Sequence, residues 1–335
     1  MLSGRTQRKL EGLEICSRNG KYRCRDLFKM ALECRDLWLQ AYANIYANSG
    51  ATAVGSDGVS LDGQSIERID HLISLLKNNE YFPVPSRRVY IPKANGKQRP
   101  LGVPSGMDKL VQEVWRMLLE VVYEPTFSIN SHGFRPGRSC HTALKEIQTS
   151  WTGSKWFIEF DIKGYFDNID HQKLVSIIEK RIDDRRFISV IKRMLKAGYM
   201  EEWQFYKTYS GTPQGGIISP ILANIYLNEL DDYIKELQAS VTCGKKRRDN
   251  PDYNCIKRQK AKAEKELERV RQHGDQEAIK RANQEVRIQQ ELLFKTSSTD
   301  QHDPSYRRLR YCRYADDFLL GFIGLRQEAN AIYSA

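Results

Sequence analysis

Tyr311-Cys312-Arg313-Tyr314-Ala315-Asp316-Asp317-Phe318-Leu319-Leu320-Gly321-Phe322 is the stretch on which the fold turns. Two adjacent carboxylates, Asp316 and Asp317, stand between strand-like runs: Tyr311 lies before them, and Phe318, Leu319, Leu320 and Phe322 follow. That pattern predicts a β-hairpin that presents acid at its tip. Working outward, Asp161 ends a similar run, Trp156-Phe157-Ile158-Glu159-Phe160-Asp161-Ile162. Carboxylates gathered from separate strands suit Mg²⁺, which takes one or two of them and completes its shell with phosphate and water. Two such ions about 3.5–4 Å apart can activate an attacking oxygen and stabilise a leaving one, which is phosphoryl-transfer chemistry. Taken alone, paired Asp residues are as well explained by an ordinary turn.

The 335 residues suit two or three lobes, and a hydrophobic content of 40% fits a globular chain. A net charge of +11 points to a polyanionic partner, with nucleic acid foremost. The seven cysteines, at 16, 24, 34, 140, 243, 255 and 312, show no C-x-x-C and no His at zinc spacing. An odd, scattered set predicts a reducing compartment. No apolar stretch approaches the ~18–20 residues of a membrane span, and Met1-Leu2-Ser3-Gly4-Arg5 has no secretory apolar core. No membrane partner is expected, and the bacterial cytoplasm is the expected location.

Residues 1–26 are polar and basic. Leu27, Met30, Ala31, Cys34, Leu37, Trp38, Ala41, Tyr42 and Ile45 recur at helical spacing and predict one amphipathic helix of about five turns. The small-residue loop 50–58 follows, then a helix marked by Ile66, Ile69, Leu72, Ile73 and Leu76. Residues 87–103 read as a hairpin turning at Ala94-Asn95-Gly96. Ser105 is the expected N-cap of a helix over 107–123, and Asp170 of another. A third helix spans about 186–197, and Ser219-Pro220 opens a fourth. The segment 243–300 differs: it opens on Lys245-Lys246-Arg247-Arg248, and 243–295 carry 15 basic and 9 acidic residues. Apolar stripes Ile256, Ala263, Leu267, Val270 and Ala278, Ala282, Val286, Leu293, broken at His273-Gly274-Asp275, predict a basic helical hairpin inserted into the main fold. Such a hairpin is either a solvated surface or a contact arm for nucleic acid or protein.

Five blocks then stand in order: Ile91-Pro92-Lys93 with Arg99-Pro100-Leu101-Gly102; Ser131-His132-Gly133-Phe134-Arg135-Pro136-Gly137-Arg138-Ser139; Phe160-Asp161-Ile162-Lys163-Gly164-Tyr165-Phe166; Gly211-Thr212-Pro213-Gln214-Gly215-Gly216; and Tyr314-Ala315-Asp316-Asp317. Together, from about residue 50 to 323, they resemble the reverse transcriptases of group II intron-encoded proteins (maturases). The resemblance implies an α/β (α+β) right-hand polymerase, with fingers and an antiparallel palm sheet packed on helices. It divides the chain into an N-terminal helical extension with a template-contact loop (1–60), fingers (61–155 and 171–210) and palm (156–170 and 211–335, interrupted by the 243–300 insertion).

By that resemblance Asp161, Asp316 and Asp317 are the catalytic acids, and with the Ile162 carbonyl they hold two Mg²⁺ ions, for which Mn²⁺ can substitute. Phe166 packs beneath the sugar of the incoming nucleotide and favours dNTP over NTP. Arg99 and Lys93 contact the triphosphate, with Lys97 an alternative to Lys93, and Gln214 lines the nucleotide pocket. Arg135 and Arg138 grip nucleic-acid phosphates, as do Lys245, Lys246, Arg247 and Arg248 on the inserted arm. His132 is expected to serve structure rather than chemistry. No Ser/His/Asp order or Gly-rich phosphate loop competes with these assignments.

The function implied is RNA-directed DNA polymerisation from dNTPs onto a primer 3′-hydroxyl, with intron RNA binding that assists splicing and retrohoming. Partners are the group II intron RNA, an RNA template with DNA primer, dNTPs and a second copy in a homodimer. A non-catalytic RNA-binding splicing scaffold is the alternative; three intact acids argue against it. A retron or diversity-generating reverse transcriptase fits less well, because the charged insertion and the Ile-Pro-Lys hairpin match the intron family. Family members continue past the acid-pair hairpin into a thumb. A chain ending at Ala335 is expected to be a fragment that holds duplex weakly and extends primers poorly.

Overall fold

The computed structural model describes residues 2–334 other than 49, 64, 93–95, 97, 209, 212–214 and 302. In chain order the elements are α1 (Gly4–Ser17), α2 (Leu27–Glu33), α3 (Arg35–Tyr46), α4 (Ile66–Lys77), β1 (Ser86–Pro92), β2 (Gln98–Val103), α5 (Gly106–Tyr123), α6 (Cys140–Ser150), β3 (Trp156–Asp161), α7 (Tyr165–Asn168), α8 (His171–Arg181), α9 (Arg185–Lys196), β4 (Tyr199–Glu201), β5 (Gln204–Tyr206), α10 (Ser219–Val241), α11 (Pro251–His273), α12 (Gln276–Lys295), β6 (Arg308–Tyr314), β7 (Asp317–Ile323) and α13 (Arg326–Ser334). The chain is α+β and forms two compact units. One comprises Met1–Ala143, Phe160–Tyr233 and Arg313–Phe318, the other Leu144–Glu159, Ile234–Cys312 and Leu319–Ala335. No helix among the described residues is long and apolar enough to cross a membrane.

The first unit is built around α5. Leu110, Val111, Val114, Trp115, Leu118, Leu119 and Val122 are all buried, at the 3.6-residue spacing that makes one apolar side. Trp115 stacks on Phe187 of α9 with ring centroids 5.1 Å apart and meets Phe28 of α2 edge-on at 6.2 Å. The Trp115 indole N–H donates to the Phe187 carbonyl at 3.1 Å, so the buried ring leaves no polar atom unpaired. The hairpin expected at 87–103 is present: β1 pairs antiparallel with β2, Arg88 opposite Gly102 and Ile91 opposite Arg99. Its sheet continues β2-β1-β4-β5, with β4 parallel to β1 and antiparallel to β5.

Two expectations change. The single helix predicted from Leu27 to Ile45 is two, broken at Cys34 (φ −101°, ψ 80°). The break lets the Trp38 indole donate to the Ala31 carbonyl at 2.7 Å from a fully buried site. Ahead of it the polar N-terminal segment, expected to be helical, forms α1, opened by Ser3, whose hydroxyl accepts from the Thr6 N–H. Ser105 precedes α5 but makes no side-chain cap; its hydroxyl donates to Asp57 at 2.6 Å. Asp170 does cap α8, accepting from the Lys173 N–H at 2.9 Å.

β3, β7 and β6 form a sheet in that order, and a two-residue connection makes β6 and β7 a hairpin. Gly321 lies flat against Trp151; a Cβ there would stand 2.5 Å from the indole. Trp151 in turn stacks on Phe157 at 6.1 Å. The insertion is the expected helical hairpin, α11 and α12, turning at Gly274 with φ 75°. Ile256, Ala263, Leu267, Val270, Ala278, Ala282, Val286 and Leu293 are its half-buried stripes.

Candidate active site

Asp161 closes β3, and Asp316 and Asp317 form the turn and first residue of the β6–β7 hairpin. Phe160 and Phe318 stack face to face with centroids 4.6 Å apart and planes 9° from parallel. Successive residues of a strand point to opposite faces, so this stack sets the neighbouring Asp161 and Asp317 together on the other face. All three acids line one cleft of about 690 Å³, along with Ile162, Phe166 and Arg99. Phe166 is half-buried and meets Phe134 edge-on at 6.4 Å. Arg99 projects from β2 and is exposed.

The hairpin tip is under local strain and is braced from below. Ala315 has φ 57° and Phe134 the same value, a region that costs an ordinary residue about 1–2 kcal/mol. The segment 130–133 runs alongside: the Arg313 N–H donates to the Asn130 carbonyl and the His132 N–H to the Arg313 carbonyl, both at 2.8 Å. Gly133 packs so close that a Cβ would stand 2.3 Å from the Ala315 nitrogen. Gly215, in the loop before α10, has φ 104° and lies against β2, where a Cβ would stand 2.8 Å from the Gly102 carbonyl oxygen. This loop is anchored again by Ile217, whose N–H donates to Gln112 of α5 at 2.8 Å.

Beneath the tip lies a group that sequence reasoning missed. The Arg313 guanidinium is fully buried and forms a two-pronged pair with Asp231 of α10, Nε to Oδ1 at 2.8 Å and Nη2 to Oδ2 at 2.7 Å. Its Nη1 donates to Asn224 at 3.0 Å and to the Ala315 carbonyl at 2.9 Å. Asn224 donates onward to the Gly133 carbonyl at 2.9 Å. Tyr165 is buried beside Phe166 and donates to the Ala223 carbonyl at 2.8 Å, and burial pushes its phenol well above the ordinary range.

The remaining predicted residues fall in different places. Lys93 and Gln214, with Lys97, lie outside the described residues. Arg135 is turned inward. It pairs with Glu124 at 2.8 Å, donates to the Ser128 and Ser131 carbonyls, and packs over Phe127. A buried cation must be paired where it lies, so the phosphate contact expected of Arg135 gives way to a loop-holding position. Arg138 is half-buried and donates to the Ile129 and Ser131 carbonyls. His132 is buried, with Nδ1 2.9 Å from the Thr142 hydroxyl.

In the second unit Lys245, Lys246 and Arg247 share a cleft of about 570 Å³ with Lys155, and among the described residues no acid lines it. Arg247 donates to the Gly153 carbonyl at 3.0 Å and packs over Tyr306. Arg248 is elsewhere, paired with Asp303 at 3.2 Å and Asp300 at 3.6 Å. The Ser305 hydroxyl and backbone N–H groups hold the Asp303 carboxyl down at about 2.

The donors of the first cleft are hard oxygens, the set that Mg²⁺ or Mn²⁺ prefers. Among the described residues no three carboxylate, imidazole or thiolate groups converge into a cage that could hold an ion unaided. Mg²⁺ in a polymerase site does not need one, since substrate phosphate and water complete its shell. The residues present therefore fit a divalent ion shared with a phosphate-bearing substrate.

Comparison with known proteins agrees. The reverse transcriptase (RNA-dependent DNA polymerase) family model matches residues 91–244. The group II intron-encoded protein LtrA of Lactococcus lactis subsp. cremoris is 44% identical over 299 residues, 89% of this chain and 49% of that protein. An uncharacterized 91 kDa protein in the cob intron of Schizosaccharomyces pombe is 40% identical over 96% of this chain and 39% of its own length. Protein YkfC of Escherichia coli K12 is 36% identical over 88% of this chain and 70% of its own. This chain thus spans about half the length of LtrA. From the ordered blocks, the shared cleft and these identities, the chain belongs to the reverse transcriptase/maturase family of group II intron-encoded proteins.

Proposed function

We propose that this chain is the RNA-directed DNA polymerase portion of its protein, adding dNTPs to a DNA primer on an RNA template, and that it also binds the intron RNA to assist splicing and retrohoming. The observation that carries the reading is the cleft in which Asp161, Asp316 and Asp317 stand with Arg99 and Phe166. The three carboxylates and the Ile162 carbonyl would hold two Mg²⁺ ions, with Mn²⁺ able to replace them. When bound, such ions neutralise charge on the attacking 3′-hydroxyl and the departing pyrophosphate.

The chain's own residues supply position and charge. Arg99 is a forked donor for the triphosphate, aided by Lys93 or Lys97. Phe166, held edge-on by Phe134, lies beneath the sugar and excludes a 2′-hydroxyl. Gln214 is assigned to the same nucleotide pocket by the resemblance of its block alone. Little covalent chemistry falls to the protein in phosphoryl transfer, so its work is alignment and electrostatic stabilisation. The division into fingers at 61–155 and 171–210 and palm at 156–170 and 211–335 belongs to the same reading. Intron RNA phosphates are assigned to the second cleft, through Lys245, Lys246 and Arg247, with Arg138 a weaker contact. Arg248, already paired with two aspartates, steadies the base of the insertion.

The test is primer extension on an RNA template with Mg²⁺ and dNTPs, parent beside Asp316→Ala, each also titrated with intron RNA. Extension should fall by about a thousandfold in the variant while RNA affinity is retained. A parent that binds intron RNA tightly and specifically but extends nothing would make the non-catalytic splicing scaffold the function instead. Light scattering on the same preparation checks for the homodimer.

A further inference from the structure

Arg313 and Asp231 are both fully shielded from solvent, and a buried ion pair is a poor way to gain stability. Apolar residues of similar volume commonly do as well or better, so the placement of this pair asks for another reason. The third prong of the guanidinium leads to the hairpin tip and its brace. Nη1 of Arg313 donates to the carbonyl of Ala315, the strained residue immediately before the two acids. The same Nη1 donates to Asn224, which donates to Gly133, whose backbone presses on the Ala315 nitrogen. Asn224 and Asp231 are seven residues apart on α10, two helical turns, and so present one face to the guanidinium.

We propose that the Arg313–Asp231 pair, with Asn224, is the positioning device of the acid-bearing turn: it holds Ala315 in its left-handed conformation and so fixes where Asp316 and Asp317 present their carboxylates to a divalent ion. Arg313 is thus a positioning residue; it touches neither substrate nor metal. A guanidinium suits the task because its planar fork satisfies a carboxylate in two places while Nη1 still reaches the turn and the brace. A lysine ammonium offers one point of charge and cannot span the three partners. The proposal rests on the reading of Asp316 and Asp317 as metal-holding acids.

The experiment separates position from stability. Arg313→Met/Asp231→Leu removes both charges together and keeps an apolar volume, so folding should survive. In the full chain, Mn²⁺ binding is read by electron paramagnetic resonance, chemical stability by urea midpoint, and catalysis by primer extension. The expected result is an unchanged or higher midpoint, Mn²⁺ affinity lowered at least fivefold and extension lowered at least tenfold. Adding Ala315→Gly, which reaches the left-handed region without strain, should recover part of the lost Mn²⁺ affinity, whereas a merely structural role would not respond to it. A folded double variant that binds Mn²⁺ and extends like the parent overturns the proposal. If the double variant does not fold, Asn224→Ser decides: it removes the amide that links Arg313 to Gly133 and leaves both the Asp231 pair and the Ala315 contact in place, and parental Mn²⁺ affinity at an unchanged midpoint overturns the proposal. Asp316→Ala runs alongside. If it too binds Mn²⁺ and extends like the parent, the reading of the acids fails and the positioning role falls with it. If Asp316→Ala loses both and only the Arg313 variants keep them, the positioning role alone is wrong.

Discussion

Gly133 shows how much one missing methyl group decides. Its backbone torsions lie outside the left-handed region, so alanine is refused by contact alone, 2.3 Å from the Ala315 nitrogen. Gly133→Ala should cost about 1–3 kcal/mol through overpacking and lower primer extension at least tenfold, because the atom displaced belongs to the acid-bearing turn. Gly137 is the control, with φ 67° and open space around its Cβ direction. Gly137→Ala should cost on the order of 1 kcal/mol of strain and leave extension unchanged. Equal losses of extension in the two variants would show that backbone strain, not the Gly133 contact, governs the turn. The gathering of Asp161, Asp316, Asp317, Phe166 and Arg99 was legible in the sequence, since each lies in one of the ordered blocks, four of them at a strand end or hairpin and Phe166 in the short helix just after β3. Arg135 and Arg313 were not. In a chain with 53 Lys and Arg residues, one more cation reads as surface. A signal did exist for Arg313: Leu309 and Tyr311 precede it at two-residue spacing and are core. A cation that continues a buried row must find a partner inside.

The β4–β5 hairpin was missed at the scale of elements, because three-residue strands are too short to show alternation and the turn lacks Asn-Gly. Its two turn residues, Glu202 and Trp203, have φ 48° and 63°. Tight hairpin turns of this kind ask for Asn or Gly at both positions. Trp203 is 93% exposed and therefore recovers almost nothing by burial. Glu202→Asn/Trp203→Gly should raise stability by about 1–2 kcal/mol, read as a shift of the urea midpoint. An unchanged midpoint would mean that the indole makes up the strain through contacts with its own hairpin. The opposite case is the insertion, whose two stripes and central Gly274 made α11 and α12 readable because long helices repeat their signal many times. The break at Cys34 lay hidden for the complementary reason: apolar spacing runs through it without a phase change, and only the Trp38 hydrogen bond to Ala31 shows why the helix stops.

For the whole molecule the question is what α5 does with the polar groups it buries. Gln112 holds the loop before α10 through the Ile217 N–H, and Lys109 donates to the carbonyls of Gly50, Ala51 and Ala53. Asp108, 3% exposed, accepts from the Tyr81 hydroxyl at 2.6 Å and from the Val84 N–H at 2.9 Å. One helix turn thus ties together the segment leading to β1, the loop 50–53 after α3 and the loop beside the cleft, and a charge is buried to do it. Burial outweighs both hydrogen bonds and pushes the Asp108 carboxyl up to about 6 from 3.8. A group raised on folding binds its proton more tightly in the folded state. Its stabilising contribution is complete below pH ~4 and is lost as pH rises through about 6. Full loss corresponds to on the order of 3 kcal/mol, trimmed because the start of a helix favours a carboxylate. Asp108→Asn keeps both neighbours satisfied, with its carbonyl accepting from Val84 and its amide donating to the Tyr81 oxygen, and it cannot ionise. The parent should therefore lose stability relative to Asp108→Asn between pH 4 and pH 7, in urea titrations followed by the fluorescence of the buried Trp38 and Trp115. Parallel curves across that range would mean that Asp108 ionises as freely in the fold as in the open chain. The junction at the head of α5 would then be held by a charged carboxylate.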